Sequence, residues 1–142
     1  MAEIEGYNLP DELYYTEDHA WMKVEGGGKI RLGLNDFAQK LAGEISFVKV
    51  PKVGKSIKKD KVLFSVQSGK WAGKIKCPVE VTVVEANEDL VLEPGTINQD
   101  CYGAGWVAVV EAANLDAGLA ELFHGPDKVT PWLKAEIAEH VK

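Results

Sequence analysis

The sequence predicts an α+β fold that is mainly β, and three observations carry that prediction. Short runs of alternating or β-branched residues recur from Ala20 to Val110, Gly- and Pro-containing turns punctuate them, and beyond about Ala112 the apolar spacing becomes helical. Residues 20–24 alternate, Gly26-Gly27-Gly28 turns the chain, and residues 29–34 continue the pattern, which together read as a hairpin. Asn35-Asp36 can cap a short helix carrying Phe37, Ala38 and Leu41 on one face and ending at Gly43. Residues 45–50 form the next strand, stopped by Pro51, and Val53-Gly54 is a turn. Residues 62–66 run into a tight turn at Ser68-Gly69-Lys70, and residues 73–76 begin the return strand. Residues 79–84 are rich in β-branched side chains and read as a strand, Glu93-Pro94-Gly95 as a turn, and residues 105–110 as the last strand. Asp116 can cap a helix over 117–123 that ends at Gly125-Pro126. Thr130-Pro131 then opens a second helix with proline at its first position, where the missing N–H costs little, and Trp132, Leu133, Ile137 and Val141 form its apolar stripe. One domain over 1–142 is expected, with a β-rich body over about 1–112 and a helical tail over about 113–142 as an appendage.

Composition excludes several classes of partner. The 142 residues hold 22 acidic and 16 basic side chains, a net charge of −6, which repels nucleic-acid phosphate and anionic membrane surfaces. The N-terminus has neither a basic region nor an apolar core of a signal peptide, and no apolar run approaches a membrane span, so a soluble cytoplasmic protein is expected. Cys77 and Cys101 sit in no CxxC motif, and His19, His124 and His140 have no ligand spacing, so no metal site is read. In a reducing compartment the two cysteines read first as small buried apolar residues. A redox pair would need a proximity that spacing does not reveal. No GxSxG, HExxH, P-loop or dinucleotide fingerprint is present, which points to a protein that binds or carries rather than an enzyme.

Lys70 stands out, in Ser65-Val66-Gln67-Ser68-Gly69-Lys70-Trp71-Ala72-Gly73 between two strands. A hairpin tip presents its side chain to modifying enzymes, and a lysine amine can form an amide with a cofactor's carboxyl group. Spacing alone also allows a plain solvated loop charge, and Lys74 and Lys76 are chemical rivals for the role.

Ordered blocks across nearly the whole chain resemble the lipoyl-carrying glycine cleavage H-protein family. They are His19-Ala20-Trp21, Gly33 with Phe37-Ala38-Gln39, the run 41–48, Pro51-Lys52-Val53-Gly54, Ser65 through Lys70, Pro78-Val79, Glu85-Ala86-Asn87, and the run 97–106. The resemblance implies a flattened β barrel–sandwich hybrid with two C-terminal helices, and lipoate amide-linked at Lys70 by a lipoate ligase or lipoyl transferase. It implies a monomeric carrier that is the substrate of partner enzymes, its arm raising the local concentration of a bound intermediate at separate active sites. An acidic surface would dock onto basic rims of those enzymes.

Departures from the family pattern bear on the cargo. The family's glutamate between His and Trp is Ala20 here, and its aspartate four residues past the lipoyl-lysine is Lys74. An ammonium in place of a carboxylate reverses the local interaction with a cationic aminomethyl group. Gln67-Ser68-Gly69 replaces the usual Glu-Ser-Val, and Trp71 follows the lysine. Gln67, Ser68, Gly69, Trp71, Lys74, His19 and Ala20 are therefore the expected surroundings of the arm. The pattern resembles the H-like lipoate-binding proteins of heterodisulfide-reductase-like sulfur oxidation, and that reading ranks first. Glycine cleavage is the alternative and a non-lipoylated binding or scaffolding protein the second. In a sulfur setting Cys77 and Cys101 are expected near one another or near the arm.

Overall fold

The computed structural model describes residues 3–69, 71–112, 114–120 and 122–140. The chain opens with three two-residue strands, β1 (Glu3–Ile4), β2 (Tyr7–Asn8) and β3 (Tyr14–Tyr15), and then forms the expected hairpin of β4 (Ala20–Gly26) and β5 (Lys29–Leu34). Gly26, Gly27 and Gly28 all take positive φ at its turn, a conformation that disfavours any side chain. Helix α1 (Asp36–Ala42) starts where the Asn35 carboxamide accepts a hydrogen bond from Ala38 N and stops at Gly43, as its caps predict. Strand β6 (Ile45–Lys49), the short β7 (Ser56–Ile57), β8 (Val62–Ser68), β9 (Ala72–Lys76) and β10 (Val81–Ala86) follow. Two helical turns, α2 (Asp89–Leu92) and α3 (Thr96–Gln99), precede β11 (Ala108–Ala112), and α4 (Leu115–Ala120), β12 (Phe123–His124) and α5 (Pro126–His140) complete the fold.

Beside the β1-β2 pair, the strands form a seven-stranded sheet in the order β12-β3-β4-β5-β11-β10-β7 and a three-stranded sheet in the order β6-β8-β9, and neither closes into a barrel. The main core lies between these two sheets. Met22, Leu32, Val83 and Val110 come from one side, and Ile45, Val48, Phe64, Val66 and Ile75 from the other. The start of β4 does not alternate, because Ala20, Trp21 and Met22 are all buried. Ala20 and Met22 face the main core, whereas Trp21 faces a second core built from Leu9, Tyr15, Phe37, Val129 and Leu133. Gly33, the cross-strand partner of Trp21, leaves room for the indole: a Cβ there would lie 2.8 Å from Trp21 Nε1.

The block 97–106 is structural stitching. Asn98 Oδ1 accepts from Ile45 N at 2.9 Å while its Nδ2 donates to Gly43 O at 2.7 Å, which ties the end of α1 to the start of β6. The Cys101 carbonyl accepts from Trp21 Nε1 at 2.8 Å, and the Tyr102 hydroxyl donates to Asn8 O at 2.6 Å. Each bond satisfies a group that burial would otherwise leave costly.

Several expected boundaries move. Strand β10 begins at Val81 rather than residue 79, because Val79 packs close against Gly118 of α4 instead of joining the ladder. Strand β11 begins at Ala108, since the N–H groups of Gly105 and Trp106 are taken by turn bonds to Asp100 and Gly103 carbonyls. Helix α4 is capped by Asn114, whose Oδ1 accepts from Ala117 N, and ends at Ala120; Phe123–His124 is a strand paired with β3. Helix α5 starts at Pro126, with Val129 N donating to Gly125 O, so Pro131 falls inside the helix. Pro131 and Asp127 are both exposed, where solvent can replace the donor that Asp127 O loses. Nor is the tail an appendage: β12 extends the large sheet, and Val129 and Leu133 of α5 help build the second core.

Candidate functional site: the hairpin of the three-stranded sheet

The β8-β9 hairpin pairs Val66 with Gly73 and Gln67 with Ala72, and Ser68 N donates to Trp71 O at 2.8 Å to close its turn. Lys70 lies outside the described residues. Its neighbour Gly69 is exposed, and a Cβ built there would meet nothing within 4 Å. Trp71 is half-buried and folds back over Gly73, where a Cβ would lie 2.2 Å from the ring. Glycine at 73 is thus what lets the indole lie flat on β9.

The outer face of the sheet is polar and basic. Phe47 and Gln67 are register partners, and Gln67 in turn faces Ala72; all three are exposed. The next row is Lys49, Ser65 and Lys74, which brings two ammonium groups to either side of one hydroxyl. A cleft of about 430 Å³ opens beside this row, with Lys49, Lys52, Lys55 and Lys74 among its lining side chains. A second cleft, of about 300 Å³, lies at the far end of β9, with Glu17, Asp18 and Asp60 alongside Lys59 and Lys76 in its lining. Asp18 also clamps that end of the strand, its Oδ2 accepting from Lys76 N at 3.1 Å.

Five residues expected around the arm, Gln67, Ser68, Gly69, Trp71 and Lys74, therefore share the hairpin. His19 and Ala20 offer the arm no surface. Ala20 is fully buried in the main core. His19, 7% exposed and at φ 72°, lies between the rings of Phe37 and Trp132, with Nε2 2.7 Å from Glu136 Oε1 and Nδ1 3.4 Å from Asn35 Nδ2. A neutral ring that donates from Nε2 and accepts at Nδ1 satisfies both contacts, and burial lowers its pKa. Cys77 and Cys101 are free and buried, and burial pushes each thiol up to about 12, in keeping with small core residues rather than a redox pair.

Sequence reading missed Lys49, Lys52, Lys55 and Ser65. The signal was present in the distribution of charge: residues 49–76 hold nine of the 16 basic side chains and only one of the 22 acidic ones, Asp60. That segment carries +8 and the rest of the chain −14.

The family model for the glycine cleavage H-protein matches residues 13–132. The chain belongs to the glycine cleavage H-protein family. It is 40% identical over 135 residues to a probable glycine cleavage system H protein of Pyrococcus abyssi, covering 95% of this chain and 99% of the relative. It is likewise 40% identical over 129 residues to the glycine cleavage system H protein of Halalkalibacterium halodurans, covering 91% and 98%. Its structure superposes with a TM-score of 0.75 on a crystal structure of a glycine cleavage system H protein from Mycobacterium marinum, at 28% identity, covering 90% of this chain and 98% of the other. Members of this family carry lipoate covalently on a lysine and are carriers, substrates of partner enzymes rather than enzymes themselves. These relatives all bear the glycine cleavage name, which favours that alternative over the sulfur-oxidation reading ranked first from the sequence. Among the described residues no helix is long and apolar enough to cross a membrane.

Proposed function

We propose that Lys70 is the lipoyl-lysine and that the chain carries the aminomethyl group of a glycine cleavage system. The observation that supports this is the hairpin itself. Paired strands lead up to Gln67 and away from Ala72, and Gly69 between them is exposed. When bound, lipoate supplies a disulfide that can accept a group by thiol exchange. The protein's part is to hold the attachment point out on a rigid two-stranded ladder, where a ligase or transferase and then the glycine cleavage enzymes can reach it. Intact mass after incubation with lipoate and a lipoate ligase should show one lipoyl adduct, and Lys70→Arg should abolish it. An adduct that persists in the variant refutes the site.

A second reading keeps the carrier and changes the cargo to an anionic sulfur intermediate of a heterodisulfide-reductase-like pathway in the cytoplasm. It draws on the Lys49-Ser65-Lys74 row. Offering the lipoylated protein to glycine cleavage enzymes separates the two: efficient methylamine loading rejects the sulfur reading, and failure to load with confirmed lipoylation rejects the aminomethyl reading.

A further inference from the structure

We propose that the lysine-rimmed cleft beside the Lys49-Ser65-Lys74 row of the β6-β8-β9 sheet is a docking site for an extended polypeptide segment of alternating acidic and apolar residues, presented by a partner enzyme. The inference rests on the carrier reading for its purpose, since a docking face on the arm-bearing sheet brings the hairpin to a partner's active site. The surface around the hairpin is basic, and the acidic excess lies in the rest of the chain.

Charge argues first for an acidic occupant. Lys49, Lys52, Lys55 and Lys74 are all exposed around one cleft, and none of them pairs with a carboxylate among the described residues. Elsewhere Lys40 lies 3.1 Å from Asp36 and Arg31 3.2 Å from Glu25, so this chain does pair its cations where carboxylates are near. Four like charges left together repel one another, and an acidic partner relieves that repulsion. Geometry then favours a segment over a single small anion. Lys49 on β6 and Lys74 on β9 flank β8, about 10 Å apart at two strand spacings. Carboxylates two residues apart on an extended chain recur every 7 Å or so, which matches a row of ammonium groups better than one phosphate does. Among the lining residues Val62 is 45% exposed and Val50 is half-buried, which gives the intervening apolar side chains a surface to cover. The rest of the chain, at −14, repels a long nucleic acid or an anionic bilayer extending past the patch, whereas a short segment stays on it.

The test uses the full, unlipoylated chain and a fluorescein-labelled dodecapeptide of alternating Glu and Leu, read by anisotropy at low and raised salt. Binding that weakens with salt is expected, with affinity falling about tenfold or more in Lys49→Glu/Lys74→Glu and little changed in Lys128→Glu/Lys134→Glu on α5. If the first pair does not fold by circular dichroism, Lys49→Gln/Lys74→Gln takes its place. Equal loss in both pairs, or no binding by the wild type, overturns the site. Equal affinity for a Glu-Gly dodecapeptide overturns the apolar contact, and tighter binding of single-stranded DNA or phosphatidylserine vesicles overturns the choice of occupant. The lipoyl adduct on Lys70 is read separately by mass, so peptide binding without an adduct rejects the carrier reading and leaves the docking face standing, while an adduct without peptide binding does the reverse.

Discussion

Replacing Gly73 by Ala drives a methyl group into the Trp71 ring. The new Cβ would sit 2.2 Å from Cη2 and under 3.0 Å from two further ring atoms, more than 1 Å inside ordinary contact, so the indole must lift off the strand. Overpacking of this kind costs about 1–3 kcal/mol. Trp71→Ala alone gives up the buried half of an indole, roughly 2 kcal/mol of apolar burial. In that background the three close ring contacts are gone, and Gly73→Ala removes the backbone freedom of a strand glycine, so it should be neutral or stabilising by up to about 1 kcal/mol. The two substitutions should therefore couple by at least about 1 kcal/mol. Urea unfolding of the four proteins, followed by circular dichroism and by fluorescence, measures this cycle. A Gly73→Ala penalty that is unchanged when Trp71 is absent would refute the close packing on which the argument stands.

Acid should destabilise the fold through His19. Burial holds its folded-state pKa below the usual 6.5 despite the Glu136 carboxylate at 2.7 Å, with His140 and Asp18 the other charged neighbours. The unfolded chain then binds the extra proton first, so stability is level above about pH 6.5 and falls as pH drops below it. The urea midpoint should decline from about pH 7.5 to about pH 5.5, and His19→Gln should flatten that decline; an unchanged slope in the variant would assign the effect elsewhere. For Cys77 and Cys101, thiols at about 12 leave roughly one thiolate in 10⁴ near pH 8, so labelling by a disulfide reagent should be slow in the native protein and complete in denaturant. Fast labelling with native circular dichroism would contradict their burial.

Local chemistry made much of the fold legible. The Asn35 cap, the Gly43 stop and the Gly26-Gly27-Gly28 turn need only their own neighbours, and each lies where its residue type requires. Boundaries failed where distant residues compete for the backbone. Residues 79 and 80 look like strand, but Val79 packs against Gly118, and the carboxyl-terminal elements look separate until β12 pairs with β3. The β8-β9 hairpin was readable because turn chemistry is local, whereas motif spacing does not reveal that His19 and Ala20 are buried. His19 and Ala20 are near Trp21 in sequence, yet the packing of β4 between two cores buries them.

The sequence by itself determined the order of most elements, the family and the chemistry available to a lysine at a hairpin tip, since these depend on residue type and short-range spacing. Tertiary structure decided which charges share a face. Lys49 and Lys74 stand 25 positions apart in a net-acidic chain, and only the antiparallel register through Ser65 sets them in one row. Coulombic interaction depends on distance in space, so the polarity of the surface beside the hairpin follows from pairing rather than from composition.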